Sequence, residues 1–187
     1  MKKLVLGALF VFCSLAADID TAPLLPYQAV PDWPKLPAGW NFGETSGVDV
    51  APDGSIWVFN RGPHPVMQFS PDGRMLQAWS EVPIISAHGL RVDKESNVWL
   101  IDVKGHAVMK FTPAGKLLMV ITQAGKHSGD NDSKYSFNEP TSVAFRPDGG
   151  FYVTDGYINA RVVQYTKDGE YVRHWGQKGK GDGEFEL

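Results

Sequence analysis

Apolar and polar residues alternate in short runs through the middle of the chain: Gly47-Val48-Asp49-Val50, Ser55-Ile56-Trp57-Val58-Phe59, Asn97-Val98-Trp99-Leu100-Ile101 and Gly150-Phe151-Tyr152-Val153. A period of two sends successive side chains to opposite faces and predicts short β-strands. The runs belong to one phrase used three times, Ser46–Asn60, His88–Asp102 and Thr141–Asp155. After each copy comes an apolar stretch ending in an aromatic, Val66–Phe69, Val108–Phe111 or Val162–Tyr165, and then a turn. Pro52-Asp53-Gly54 and Pro147-Asp148-Gly149 mark tight turns, because proline presets φ and glycine accepts a positive φ.

The spacing decides the fold class. Gly47 and Gly89 lie 42 residues apart, and Gly89 and Ser142 lie 53 apart. The polar run Gly125–Ser133 explains the longer interval as a surface loop inserted in the second unit. Four short strands at a period above 40 residues predict a blade of an all-β propeller. Propellers close with roughly four to eight blades, and this chain carries about three. The expectation is therefore an N-terminal fragment, C-terminally truncated. Its terminal blades would expose apolar faces, so instability or self-association is expected. A short product closed by dimerisation is the alternative.

Ahead of the repeats the pattern changes. Lys2-Lys3 followed by the apolar Leu4–Ala17 reads as a signal peptide over residues 1–17, too short to span a bilayer comfortably. An uncleaved membrane anchor is the competing reading. Cys13, the one cysteine, lies in that segment, so the mature chain would be secreted or periplasmic and free of disulfides. Residues 18–43 carry five prolines with Trp33 and Trp40 between them. Proline at that density excludes helix and central strand, and the segment is expected to lie on the rim of the propeller, which spans 44–187. The net charge of −3 over 187 residues gives no basic face for nucleic acid.

Several phrases are more specific than the repeat: Ser46-Gly47-Val48, Asn60-Arg61-Gly62, His88-Gly89-Leu90, Asn138-Glu139-Pro140-Thr141-Ser142-Val143 and Asp155-Gly156-Tyr157. With Asp53–Val58 and Asp155–Tyr165, they make the chain resemble NHL-repeat propellers and, more narrowly, the peptidyl-α-hydroxyglycine α-amidating lyase family, from about Trp33 to Leu187. The resemblance implies a six-bladed ring. Its reaction would cleave a peptide ending in α-hydroxyglycine to a peptide amide and glyoxylate, with catalytic zinc on three histidines and a calcium near the axis. Matched position by position, His88 is a zinc ligand, Tyr157 the catalytic tyrosine and Arg61 an active-site arginine, while the main-chain carbonyls of Val48 and Leu90 face calcium. The remaining ligands of both metals have no match in this chain, so the fragment alone is expected to be inactive and its partners to be a peptide-like small substrate and further blades.

Each residue also has an ordinary structural reading: a hydrogen-bonded His88, a packing ring at Tyr157, a surface salt bridge at Arg61. Arg161 is expected to be structural, paired with Asp155. His64 and His106 occupy equivalent positions and are expected to be structural, with His127 in a loop and His174 on an outer strand. Trp57, Trp99 and Tyr152 are expected to pack between blades. The function class alternative to the lyase is a non-catalytic binding scaffold for a peptide, glycan or protein, since propellers host many activities.

Overall fold

The computed structural model describes residues 25–122 and 128–186. The signal peptide, Cys13, residues 18–24 of the lead-in, His127 and Leu187 lie outside the described residues. The chain divides into a unit over Met1–Pro31 and a compact unit over Asp32–Leu187. In the first, residues 25–31 are exposed, with one short-range backbone bond from Tyr27 N–H to the Leu25 carbonyl at 2.8 Å.

The second unit holds three four-stranded antiparallel sheets, which are three propeller blades. Blade 1 is β1 (Thr45–Val50), β2 (Ile56–Asn60), β3 (Val66–Phe69) and β4 (Met75–Trp79). Blade 2 is β5 (Ala87–Val92), β6 (Val98–Asp102), β7 (Ala107–Phe111) and β8 (Leu117–Ile121). Blade 3 is β9 (Pro140–Phe145), β10 (Phe151–Asp155), β11 (Arg161–Tyr165) and β12 (Tyr171–Trp175). Each sheet is ordered as in sequence. Gly54 and Gly149 close their turns at φ of 82° and 86°, as the Pro-Asp-Gly phrases require.

Alternation along the middle strands builds two seams. Trp57, Phe59 and Val66 of blade 1 meet Leu90, Val98, Leu100, Met109 and Phe111 of blade 2. Trp99, Ile101 and Val108 of blade 2 meet Val143, Phe151, Val153, Val163 and Tyr165 of blade 3. Each buried Leu, Phe or Val contributes about 1.5–3 kcal/mol relative to exposure, so these seams are the main stabilising element. Tyr152 departs from expectation. It follows the same alternation as Trp57 and Trp99, which places it on the far face of blade 3. There it is half-buried, edge-on to Trp175, with its hydroxyl accepting from Arg146.

The lead-in also differs from expectation. Trp33, Leu36, Trp40 and Phe42 lie on a face of blade 1, not its rim, and cover Val58, Met67 and Phe69. Trp33 Nε1 donates to the Pro71 carbonyl at 3.1 Å, and its ring fills the place a side chain would take at Gly73. Lys35 N–H donates to the Gly73 carbonyl at 2.8 Å. Blade 1 therefore does not expose an apolar face: the strap does for Val58, Met67 and Phe69 what a preceding blade would do.

The inner strands come unusually close. A Cβ on Gly47 would lie 2.8 Å from the Leu90 nitrogen, and one on Gly89 would lie 2.5 Å from the Thr141 carbonyl oxygen. Backbone cannot yield as a flexible side chain does. Gly89→Ala should cost about 1–3 kcal/mol by overpacking, read as a lower urea midpoint at unchanged slope. Gly156→Ala, with nothing within 4 Å of the new carbon, should stay within about 0.5 kcal/mol of the parent. Replacing Trp33 and Trp40 together by alanine should uncover the blade 1 face, and concentration-dependent self-association in light scattering is the expected result.

Candidate functional site

The loops that join β2 to β3, β6 to β7 and β10 to β11, together with the starts of β1, β5 and β9, form one end of the blades. One side chain per blade organises its loop. Asn60 accepts from Gly62 N–H at 2.7 Å and donates to the His64 carbonyl at 2.9 Å. Asp102 accepts from the N–H groups of Ile85, Ser86 and Gly105. Asp155 accepts from Asn138 N–H, Asn159 and Arg161, each at 2.8 Å. Equivalent ladder positions with capable acceptors satisfy the N–H groups of the loops beside them.

In blade 3 the acceptor is one half of a fully buried ion pair, with Asp155 and Arg161 side chains both at 0% exposure. Three more guanidinium hydrogens, two on Nη1 and one on Nη2, go to the carbonyls of Asn131, Ser133 and Ser136. The described part of the inserted loop is thereby anchored to the β10–β11 loop rather than left free. A buried pair persists only when its other donors are also satisfied, and here they are. Between these anchors sits Tyr157, at a φ of 72°. His106 and Glu139, at φ of 53° and 64°, lie at the same end. Left-handed backbone at non-glycine residues costs of order 1–3 kcal/mol each and gathers where surrounding structure enforces it.

His88 reaches this end by a bulge. Ala87 pairs with Asp102 and Gly89 with Ile101, which leaves His88 as the extra residue of β5. Ser46 and Thr141 occupy the same bulged position in β1 and β9. A bulge re-aims its side chain. The His88 ring nitrogen Nδ1 lies 2.9 Å from the Thr141 carbonyl, and Nε2 lies 3.0 Å from the Tyr157 hydroxyl. A carbonyl only accepts, so in the neutral ring Nδ1 carries the proton. The bare lone pair of Nε2 then accepts from Tyr157, and the two rings stand edge-to-face at 5.6 Å. Missing a side chain, Gly89 is what lets the Thr141 carbonyl come this close.

Arg61 follows β2. Its Nε donates to the carbonyl of Ala87, the residue before His88, at 3.1 Å, and Nη1 donates to Glu44 at 2.7 Å. A groove of about 260 Å³ beside it is lined by Pro63, Ser80, Ile84 and Ile85 among others. The structure thus brings His88 and Tyr157 into contact and ties Arg61 to the neighbouring peptide. Sequence reasoning missed Thr141, Glu44 and the Lys104–Glu139 pair at 2.5 Å; only Asn138–Val143, as a phrase, marked part of this region. His64 stacks on Trp40 at 3.4 Å and bonds Ser80, while His106 accepts from Glu139 N–H, so these equivalent histidines hold different partners. His174 lies on the outer strand β12, 2.9 Å from the Tyr171 hydroxyl. A larger cleft of about 470 Å³ lies at the opposite end of the seam between blades 2 and 3, around Asp93, Lys110, Arg146 and Asp148. Its charges are paired with one another, and it is remote from the His88–Tyr157 contact.

The metals fit only in part. His88 Nε2 is a proper zinc donor, but a catalytic zinc needs three protein ligands. Among the described residues no group of three His, Cys, Asp or Glu could hold a metal. A metal at Nε2 would also replace the Tyr157 hydrogen bond, because that nitrogen has one lone pair. The Leu90 carbonyl accepts from Arg91 Nη1 at 3.1 Å. Calcium takes six to eight oxygens, so Val48 and Leu90 do not form a calcium site by themselves.

The tautomer is directly observable. ¹⁵N NMR of His88 should show a protonated Nδ1 and a bare Nε2. The same tautomer should survive in Tyr157→Phe, because the Thr141 carbonyl imposes it.

No family model matches the chain. It is 26% identical over 173 residues to peptidyl-glycine alpha-amidating monooxygenase B of Xenopus laevis, covering 79% of this chain and 19% of the relative. It is 29% identical over 184 residues to peptidyl-alpha-hydroxyglycine alpha-amidating lyase 2 of Drosophila melanogaster, covering 82% of this chain and 44% of the relative. The chain therefore spans less than half the length of these relatives. In fold it is similar to virginiamycin B lyase from Staphylococcus aureus, at a TM-score of 0.57 and 18% identity over 76% of this chain and 44% of that one. The chain is a β-propeller related at low identity to peptide-amidating enzymes.

Proposed function

We propose that this chain carries part of the active site of an exported lyase that cleaves peptidyl-α-hydroxyglycine to a peptide amide and glyoxylate. The observation that carries this reading is the 3.0 Å contact between His88 and Tyr157, which lie 69 residues apart in sequence. The relatives named for amidation supply the substrate class. His88 would be one of the three protein ligands a catalytic zinc needs, and the chemistry such an ion would supply is Lewis-acid polarisation of the carbinol oxygen. The Val48 and Leu90 carbonyls would supply two of the six to eight oxygens that a calcium takes.

The chain's own residues suit the proton bookkeeping. The substrate is a carbinolamide, and its breakdown removes the hydroxyl proton, forms the aldehyde of glyoxylate, breaks the C–N bond and returns a proton to the leaving amide nitrogen. Tyr157 is placed to take the carbinol proton as a phenolate and return it to the leaving nitrogen; its hydroxyl proton can go to His88 Nε2 only where no metal holds that nitrogen. Tyr157 is 50% exposed, so a substrate can reach its hydroxyl. Arg61, fixed to the Ala87 carbonyl, would bind the carboxylate, for which a guanidinium has the matching geometry.

Glyoxylate release from a peptidyl-α-hydroxyglycine, with zinc supplied, tests the reading in the protein expressed from its complete reading frame. Tyr157→Phe should lower the rate by about 10²–10⁴-fold, the usual worth of a positioned acid–base group, with the fold retained. Turnover unchanged in Tyr157→Phe would remove Tyr157 from the chemistry. No glyoxylate from the parent protein would favour a binding scaffold.

A further inference from the structure

Arg61 already holds a carboxylate where the proposed reaction asks it to bind one. A carboxylate binds a guanidinium best through two parallel N–H bonds from one edge of the fork. Nε is committed to the Ala87 carbonyl at 3.1 Å, which also fixes the group in place. Nη1 is committed to Glu44 Oε2 at 2.7 Å. The second N–H of Nη1 and both of Nη2 make no hydrogen bond to a described residue, so donors remain, but they lie beside a carboxylate whose charge opposes another.

Glu44 is the removable partner. Its side chain is 76% exposed, against 41% for Arg61. An ion pair that wet contributes little to folding, and the Ala87 bond holds the guanidinium without it. Yet Glu44 cannot drift away, because the Arg61 N–H donates to the Glu44 carbonyl at 3.0 Å, just before β1. Tethered by that backbone bond, the carboxylate stays at high local concentration beside the fork.

We propose that Glu44 is a resident competitor for the substrate carboxylate: it caps Arg61 at Nη1, and its charge opposes a second carboxylate on the Nη1–Nη2 edge until it moves away. The proposal rests on Arg61 as the carboxylate anchor of the lyase reading. It makes Glu44 a gating residue that does not touch the reacting atoms. Displacement exchanges one carboxylate for another, so binding should be weak for simple carboxylates and selective for ligands with further contacts.

Glycolate, an unreactive α-hydroxy carboxylate, is a suitable probe, titrated against the parent chain and Glu44→Gln while the Arg61 Nε–Hε NMR signal is followed. Glu44→Gln should bind about two- to fivefold more tightly, the range expected for losing one exposed ion-pair competitor. The difference should shrink as salt is raised. Arg61→Lys should bind weakly with or without Glu44, since an ammonium offers no fork. Arg61-dependent binding that is equal or weaker in Glu44→Gln overturns the gate and leaves the anchor role of Arg61 standing. Glycolate that moves the Arg61 signal in neither protein overturns both.

Discussion

A four-stranded blade with apolar side chains on both faces is stabilised by a neighbour on each, and blades 1 and 2 of this structure meet that constraint. Trp57 and Phe59 bury one face of blade 1 against blade 2, and Trp99 and Ile101 repeat the solution toward blade 3. On the other face of blade 1 the chain uses its own lead-in, with Trp33, Trp40 and Phe42 over Val58, Met67 and Phe69. Proline-rich sequence suits that task, because an extended strap needs no ladder hydrogen bonds and loses little backbone entropy on docking.

Seam packing sets the distance between inner strands, and that distance builds the site. Gly47 and Gly89 let β1, β5 and β9 approach until backbone atoms of one blade meet those of the next. At the same level each inner strand carries a bulge. Together they bring a carbonyl from blade 3 to the imidazole of blade 2, and the carbonyl fixes which ring nitrogen bears the proton. The buried Asp155–Arg161 pair holds the other partner by clamping the loop that carries Tyr157. The chemistry-bearing contact therefore depends on two separate rigid supports, one made of backbone and one of a desolvated ion pair.

Charges at this end come as couples: Arg61 with Glu44, Lys104 with Glu139, Arg161 with Asp155. They differ in burial, and burial separates their roles. The fully buried couple is structural, because breaking it would strand a charge in a low dielectric. The Arg61–Glu44 couple, exposed on both sides, adds little stability.

The sequence by itself determined the blades, their turns and the residues worth watching. Period-two alternation, the repeated phrase and the Pro-Asp-Gly turns are local, and local backbone preference decides them. The pairing of Arg161 with Asp155 follows instead from the resemblance to NHL-repeat blades, which commonly carry an arginine at this strand start. Tertiary structure decided the rest. Tyr152 shares its repeat position with Trp57 and Trp99 and, as Trp57 does with Trp79, meets the aromatic of its own outer strand, Trp175, but no neighbouring blade among the described residues buries it, because a face's neighbour is not encoded in its alternation. The rim position expected for the lead-in gave way to a blade face because only packing reveals which apolar surface is uncovered. No spacing shows that β5 bulges at His88, that Thr141 supplies the carbonyl or that Glu44 caps Arg61. Those contacts join residues 17 to 69 apart in sequence, and hydrogen bonds across a seam leave no trace in the hydrophobic pattern that forms it.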